Sequence, residues 1–435
     1  MLRTLQMRGT DRAMGESEAG DRSFAIGFCN EQNSLSGSFQ ETNTSIQALD
    51  GTLFPDMLDQ AETHSFLNDP NLLFSSPGGF AFLGMTEGHL LATRDQLGQK
   101  PLYWGTDEGG NHAFASLIAS LKNVGIVEPI PLAAGQFIEL TESGPRTSAD
   151  HALAKPQHID ILEEDAVEKV GSLLLKAVSL MVPDNSALAF SGGVDSALVA
   201  TACKKVGLNP ELITVAMKGQ DELEHASRAA DDIGLPITTR SLTRDEVLGA
   251  ATKVAQMVET KSPVTLGISL PFHFACSLTR ELGRRCIVMG QLSDELFGGY
   301  ARFEEIVMKE GLDAVDAAMW KSVVVAPEGD FAPGDKVATW HGLEFRCPFA
   351  YLPLAMFALE LPVGLRVRVS EGRVVRKYLL RRLAEKWGLP DYVVNRPKKA
   401  FQYSSGVHKV LARETRRTTQ EAGKPAAHKT KGIRD

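Results

Sequence analysis

Two acidic strings set among glycines and hydroxyl residues, in the second half of this 435-residue chain, carry the side-chain types that handle phosphate. The first is Ser191-Gly192-Gly193-Val194-Asp195-Ser196, which follows a short apolar run and precedes a helical one. Adjacent glycines let the backbone turn with its amides exposed, and a helix opening behind them adds partial positive charge, so the loop suits an anion. Ser191 and Ser196 add hydroxyl donors. Asp195 is the informative residue. A carboxylate beside phosphate is repelled unless a cation stands between them, so the string implies Mg2+. A lone Ser-Gly-Gly would be a tight turn with Ser or Asp as a helix cap; the six-residue string in a strand–loop–helix setting points to phosphate. No Gly-x-x-x-x-Gly-Lys-Ser/Thr string occurs, which excludes the kinase- and GTPase-type phosphate loop.

The second string is Gly290-Gln291-Leu292-Ser293-Asp294-Glu295-Leu296-Phe297-Gly298-Gly299-Tyr300, after a strand expected at Cys286–Met289. Loops at the carboxyl ends of neighbouring strands in an open α/β sheet share one crevice, so Asp294 is expected to approach Asp195. Two converging carboxylates are what Mg2+ needs to neutralise a departing pyrophosphate. On spacing alone, Asp294 and Glu295 serve equally well as the acidic first turn of a helix.

The elements that must hold these loops are legible as a change of pattern. From about residue 161 the chain alternates helix and strand: an amphipathic helix to 182, a strand Ala187–Phe190, a helix from Asp195 to Val206, a strand Leu212–Met217 and a helix to Ile233. Such alternation with short connections predicts a doubly wound parallel sheet covered on both faces. Residues 1–145 instead alternate short apolar runs with glycine-rich turns. Strands are expected at Ser23–Cys29, Thr44–Leu49, Gly79–Met85, His89–Arg94, His112–Ala115 and Gln136–Leu140, giving a mostly antiparallel β-domain with few helices. A linker is expected at 146–160 and a disordered tail at 412–435.

Composition narrows the function classes. The chain is 43% hydrophobic with a net charge of -8, and an acidic body without a basic block is a poor partner for nucleic acid. No run of about 18 uncharged apolar residues occurs, so no membrane span is expected; Ser262–Leu278 comes nearest and suits a buried helix better. The five cysteines show no metal-ligand spacing and suit a reducing cytoplasm.

Together the strings become specific. Ser-Gly-Gly-x-Asp-Ser and Gly-x-x-x-Asp-Glu-Leu-Phe-Gly-Gly-Tyr resemble the synthetase domain of asparagine synthetases. So do Glu344-Phe345-Arg346-Cys347-Pro348-Phe349, Arg376-Lys377-Tyr378-Leu379-Leu380-Arg381 and the basic run from Arg396 to Phe401, and Lys398–Gly406 is closest to the short archaeal-type branch. The resemblance implies an α/β PP-loop ATP-pyrophosphatase domain of the adenine nucleotide alpha-hydrolase-like type over 161–411, behind an Ntn-like α+β glutamine amidotransferase domain. It implies that ATP adenylylates the aspartate side chain, that pyrophosphate leaves, and that ammonia displaces AMP. Carried over, Ser191, Gly192, Gly193, Asp195, Ser196 and Gly290 hold the nucleotide. Val215 and Met217 line the adenine pocket with backbone groups, Asp195 and Asp294 ligate Mg2+, and Lys377 and Lys398 offset charge on the leaving group. Either lysine alone would otherwise be an exposed helix-face charge. A homodimer and a separate glutaminase are the partners compatible with this reading.

Departures from the family pattern fall in both halves. Arg94–Tyr103 and Arg8-Gly9-Thr10-Asp11 match amidotransferase signatures, yet the chain begins Met1-Leu2 without the family's N-terminal cysteine, and the glutamine-pocket string is Asp50-Gly51-Thr52. A degenerate, non-hydrolysing scaffold domain is therefore expected, with Cys29 a core residue. In the synthetase half, Gln291 stands where the family has Glu, and Ala350-Tyr351 where it has Leu-Asp. An amide is no base at neutral pH, so Glu295 or Glu344 becomes the candidate. A related amide-forming ligase on another carboxylate, and a catalytically silent family member, are the alternatives.

Overall fold

A computed structural model describes residues 8, 11–19, 22–30, 38–42, 45–53, 66, 69–86, 89–141, 143–397 and 405–422. Lys398, expected in the site, lies outside these, as do the chain's first seven residues and 423–435.

The amino-terminal part is antiparallel. A hairpin pairs β1 (Asp11–Ala19) with β2 (Arg22–Asn30). Six strands follow in one sheet: β3 (Ser38–Glu41), β4 (Ser45–Thr52), β5 (Gly79–Thr86), β6 (His89–Arg94), β10 (Phe137–Thr141) and β11 (Gly144–Ser148), in spatial order β11-β10-β6-β5-β4-β3. A small sheet of β7 (Tyr103–Thr106), β8 (His112–Ala115) and β9 (Ile130–Pro131) lies beside them. All six expected strands are present within a residue or two, except that β4 runs on to Thr52. The linker expectation needs correcting at its start: Gly144–Ser148 is a strand paired with β10, because its extended backbone finds a sheet edge that local polarity cannot announce.

The carboxyl-terminal part is a five-stranded parallel sheet. Its strands are β12 (Ser186–Ala189), β13 (Glu211–Met217), β14 (Ile237–Leu242), β15 (Cys286–Val288) and β16 (Glu344–Arg346), in order β14-β13-β12-β15-β16. Five consecutive residues of β13, Leu212–Ala216, are buried, as a strand covered on both faces requires. One face carries α1 (Glu163–Met181), α2 (Val194–Lys205) and α3 (Glu222–Ile233); the other carries α4 (Arg244–Met257) and α5 (Pro263–Glu281). The apolar stretch at 262–278 is α5, capped by Ser262 with Pro263 in its first turn, and no helix among the described residues is long and apolar enough to cross a membrane.

Beyond β15 come α6 (Ser293–Phe297), α7 (Ala301–Glu310), α8 (Leu312–Ala326), a π-helical turn Pro327–Phe331, and α9 (Ala332–Trp340). A hairpin of β17 (Val367–Ser370) and β18 (Arg373–Arg376) leads into α10 (Tyr378–Lys386). Within the expected tail, residues 412–422 continue a helix, α11 (Val407–Ala422), lying against α4 and α5; the rest of that tail lies outside the described residues.

Ion pairs, most of them buried, join the two parts. Asp335 of α9, fully buried, meets Arg8 at 2.7 Å and Lys100 at 2.9 Å; Lys100 also meets Glu344 at 3.1 Å. Arg94, fully buried, reaches Glu328 at 2.8 Å, and Tyr103 donates to the same carboxylate at 3.0 Å. The Arg94–Tyr103 signature thus ties the amino-terminal part to the carboxyl-terminal part.

Candidate active site

Strand order reverses beside β12: β13 lies on one side and β15 on the other. Loops leaving the carboxyl ends of β12 and β15 therefore diverge and open a crevice, the ligand position of doubly wound sheets. Both acidic strings leave from these two ends. Gly290 packs so closely on α2 that a Cβ there would lie 3.3 Å from Asp195 Cβ.

The first loop is folded on itself. Ser196 Oγ donates to Gly193 O at 3.2 Å and accepts from Ser191 N at 3.3 Å, while Ser191 Oγ accepts from Gly193 N at 3.3 Å. Gly192 has φ +65°, and a Cβ there would lie 2.7 Å from the His225 ring, whose Nε2–H donates to Gly192 O at 3.0 Å. Gly193 caps α2 with no side-chain hydrogen bond, so neither Ser nor Asp is the cap, and Asp195 sits inside the first turn. Arg396 braces the loop from the far side, donating to Ser191 O and pairing with buried Glu222 at 2.6 Å.

Asp195 and Asp294 do converge, and they meet on Lys377. Its Nζ contacts Asp195 Oδ2, lies 2.6 Å from Asp294 Oδ1, and donates to Ser293 Oγ at 3.1 Å. Lys377 is 0% exposed, and the two carboxylates keep only 10% and 16% of their side-chain surface. The backbone is bent to make this meeting. Lys377 has φ +54° and Leu292, just before α6, φ +73°, conformations that cost an L-residue about 1–2 kcal/mol each. Lys377 N–H donates to Phe297 O at 3.1 Å, fixing β18 to the end of α6. Gly299 makes the approach possible: a Cβ there would lie 1.8 Å from Asp294 Oδ1 and 2.2 Å from Lys377 Cε.

The other expected residues are placed less simply. Val215 is buried within β13. Met217 N–H donates to Ser405 O at 2.8 Å and its carbonyl accepts from Gln220 N at 3.2 Å, so both of its backbone groups are engaged rather than open to a base. Glu344 is tied to Lys100 and, at 3.2 Å, to Arg346. Glu295 is buried on α6 and accepts from the Tyr300 hydroxyl. Burial, then the nearby charges of Asp330 and Asp294, push its carboxyl up to about 8.

Asp330 escaped the sequence reading, because Pro327-Glu328-Gly329-Asp330 has the composition of a loop. The π-helical turn carries it to the second acidic loop, where the Gln291 side chain donates to its carboxylate. Burial and, after it, the charge of Asp294 raise it to about 6, against the Gln291 hydrogen bond and the charge of Arg302. Ser293, His225 and Glu222 were also missed; their roles depend on which loops meet, and no spacing announces that.

The donor set suits Mg2+ shared with a nucleotide. Among the described residues no group of three or more His, Cys, Asp or Glu could hold a metal alone. Asp195 and Asp294 are the residues that would hold Mg2+, and the ion would supply positive charge to phosphate oxygens.

Known proteins resemble this chain along both of its parts. The asparagine synthase family pattern matches residues 169–316 and 307–435, and a glutamine amidotransferase domain pattern matches 70–136. An assigned glutamine-hydrolysing asparagine synthetase 1 of Methanocaldococcus jannaschii is 30% identical over 280 residues, 57% of this chain and 51% of that protein. Asparagine synthetase B of Escherichia coli is 26% identical over 374 residues, 80% of this chain and 64% of that one. The chain thus spans about half the length of the first of these relatives. The structure of NMN synthetase from Francisella tularensis aligns over 56% of this chain and 78% of that one, at 12% identity and a TM-score of 0.31, too low to bear on the fold. With a family pattern running through both acidic loops and Lys377, the chain belongs to the asparagine synthase family.

Proposed function

We propose that the chain is an ATP-dependent, AMP-forming ligase that makes an amide from the side-chain carboxylate of aspartate and ammonia. The observation that carries this reading is the meeting of Asp195 and Asp294 on buried Lys377 at the switch point of the sheet. What sets this triad apart from the structural ion pairs at the junction is its place, at the crevice where doubly wound sheets bind ligands.

In this reading the amides and hydroxyls of Ser191–Ser196 hold the phosphates, and the substrate carboxylate attacks the α-phosphorus. The bond to the bridging oxygen breaks and pyrophosphate leaves. Lys377, buried where negative charge accumulates, steadies the departing oxygens in a water-poor site. Asp195 and Asp294 would hold Mg2+, which when bound neutralises the phosphate charge. Ammonia then forms the C–N bond at the acyl carbon as the C–O bond to AMP breaks. The site lies in the carboxyl-terminal domain, in a cytoplasmic protein.

Gln291 and the buried Ala350-Tyr351 pair favour a second reading, a ligase of the same chemistry acting on another carboxylate. Carboxylate-dependent ATP–pyrophosphate exchange, run with aspartate against a panel of carboxylic acids, separates the two. AMP and amide formation with ammonium or glutamine identifies the nitrogen donor. Exchange with no carboxylate in the panel would sink both readings.

A further inference from the structure

A loop that holds phosphate has to present its amides and turn its carbonyls away, because a carbonyl oxygen aimed at a phosphate repels it. In a planar trans peptide the C=O of one residue and the N–H of the next point in opposite directions. Fixing a carbonyl on one side of the loop therefore turns the following amide to the other. Ser191-Gly192-Gly193 contains two such peptides in succession, and glycine is too permissive a residue to lock either by itself.

Two side chains from outside the loop do the fixing. His225 Nε2–H donates to Gly192 O at 3.0 Å, and the Arg396 guanidinium donates to Ser191 O. Both donors belong to one wall: His225 sits on α3, and Arg396 is held at 2.6 Å to Glu222, one turn earlier on the same helix. The wall is itself ordered. The His225 ring stands edge-on to Tyr392, centroids 5.5 Å apart at 87°, and the Tyr392 hydroxyl donates to Asp232 of α3. Because α3 follows β13, and β13 and β15 lie on opposite sides of β12, this wall flanks the loop on the side away from the second acidic string. The Gly192 and Gly193 amides are thereby turned towards the Asp294 side of the crevice. Gly193 N–H keeps one long internal contact there, 3.3 Å to Ser191 Oγ.

Resting on the ligase reading, we propose that His225 and Arg396 are positioning residues of the pyrophosphate subsite, pinning Gly192 O and Ser191 O against α3 so that the Gly192 and Gly193 amides stand ready for the β- and γ-phosphates of ATP. Neither side chain touches phosphate; each acts through the peptide it holds. Ordering both peptides in advance removes that cost from nucleotide binding. The same amides then meet the charge that gathers on pyrophosphate as it leaves. The nucleotide is the substrate whose affinity this pair sets, and the carboxylate and ammonia are not.

The test, in the full chain, divides the hydrogen bond from the packing of the ring. His225→Phe keeps a ring against Tyr392 but has no donor; His225→Gln keeps a donor of similar reach and loses the ring. The readouts are calorimetric binding of MgATP and of magnesium pyrophosphate, and the KM values for ATP and for the carboxylate in pyrophosphate exchange. His225→Phe is expected to weaken binding of both phosphate ligands roughly tenfold, the factor one hydrogen bond is worth, with the carboxylate KM unchanged and His225→Gln near wild type. Arg396→Lys, which exchanges a two-pronged donor for a point charge between Glu222 and Ser191 O, should shift binding in the same direction. Wild-type affinity in His225→Phe, an equal loss in His225→Gln, or an equal rise in the carboxylate KM would overturn the proposal. MgATP binding that follows the expected order in a protein without carboxylate-dependent exchange would instead refute the ligase reading and leave the role of the pair standing.

Discussion

Replacing Lys377 by methionine removes one charge and little volume. Lys377 Nζ contacts Asp195 and stands 2.6 Å from Asp294. At that separation and an effective dielectric constant of 20, attraction to one carboxylate is about 6 kcal/mol, offset by several kcal/mol of desolvation for each buried ion. The intact triad therefore adds little net stability. Removing its cation is a different matter, because two carboxylates with 10% and 16% exposure are left facing each other. Breaking a buried pair from one side costs about 3–5 kcal/mol. At roughly 2–4 °C per kcal/mol, Tm should fall by about 6 °C or more, with exchange activity lost. Calorimetry of Lys377→Met with and without millimolar MgCl2 provides the assay. Magnesium should recover part of the loss in the variant and change the wild type little, and adding Asp294→Asn should recover part without metal. A Lys377→Met melting curve that superimposes on wild type, indifferent to magnesium, would refute the reasoning that this lysine holds two metal-binding carboxylates together.

Three further outcomes follow from the geometry. Gly299→Ala drives a methyl into Asp294 and Lys377, so it should lower stability by about 1–3 kcal/mol and abolish pyrophosphate exchange, read by melting and by isotope exchange. Glu295 is raised to about 8 in the folded chain, so the folded state holds a proton that the unfolded state releases from about pH 4.5 upward. Stability should fall as pH rises through that window; Glu295→Gln should flatten the fall and raise Tm at pH above 8 more than at mildly acidic pH, by thermal melts across pH. Lys100→Met leaves Asp335 and Glu344 short of a cation at the domain junction, which should cost about 3–5 kcal/mol and release the amino-terminal domain to limited proteolysis, seen as earlier melting and a new stable fragment.

The sequence by itself determined the chemistry available. Ser191–Ser196 and Gly290–Tyr300 are contiguous strings whose glycines, hydroxyls and carboxylates act within a few residues of one another, and the β13 run Leu212–Ala216 is apolar enough to demand a two-faced parallel sheet. Local composition therefore sufficed for both loops and for the α/β frame. It failed where a residue's meaning comes from something distant in the chain. Gly144–Ser148 became a strand because β10 offers an edge, and Pro327–Phe331 became a π-helical turn between two packed helices. Most of all, nothing within the Arg376–Arg381 motif says that Lys377 will lie between Asp195, 182 positions earlier, and Asp294. Strand order decided that: β12 and β15 became neighbours at the point where the sheet reverses, and there Asp195 and Asp294 share the buried Lys377 ammonium.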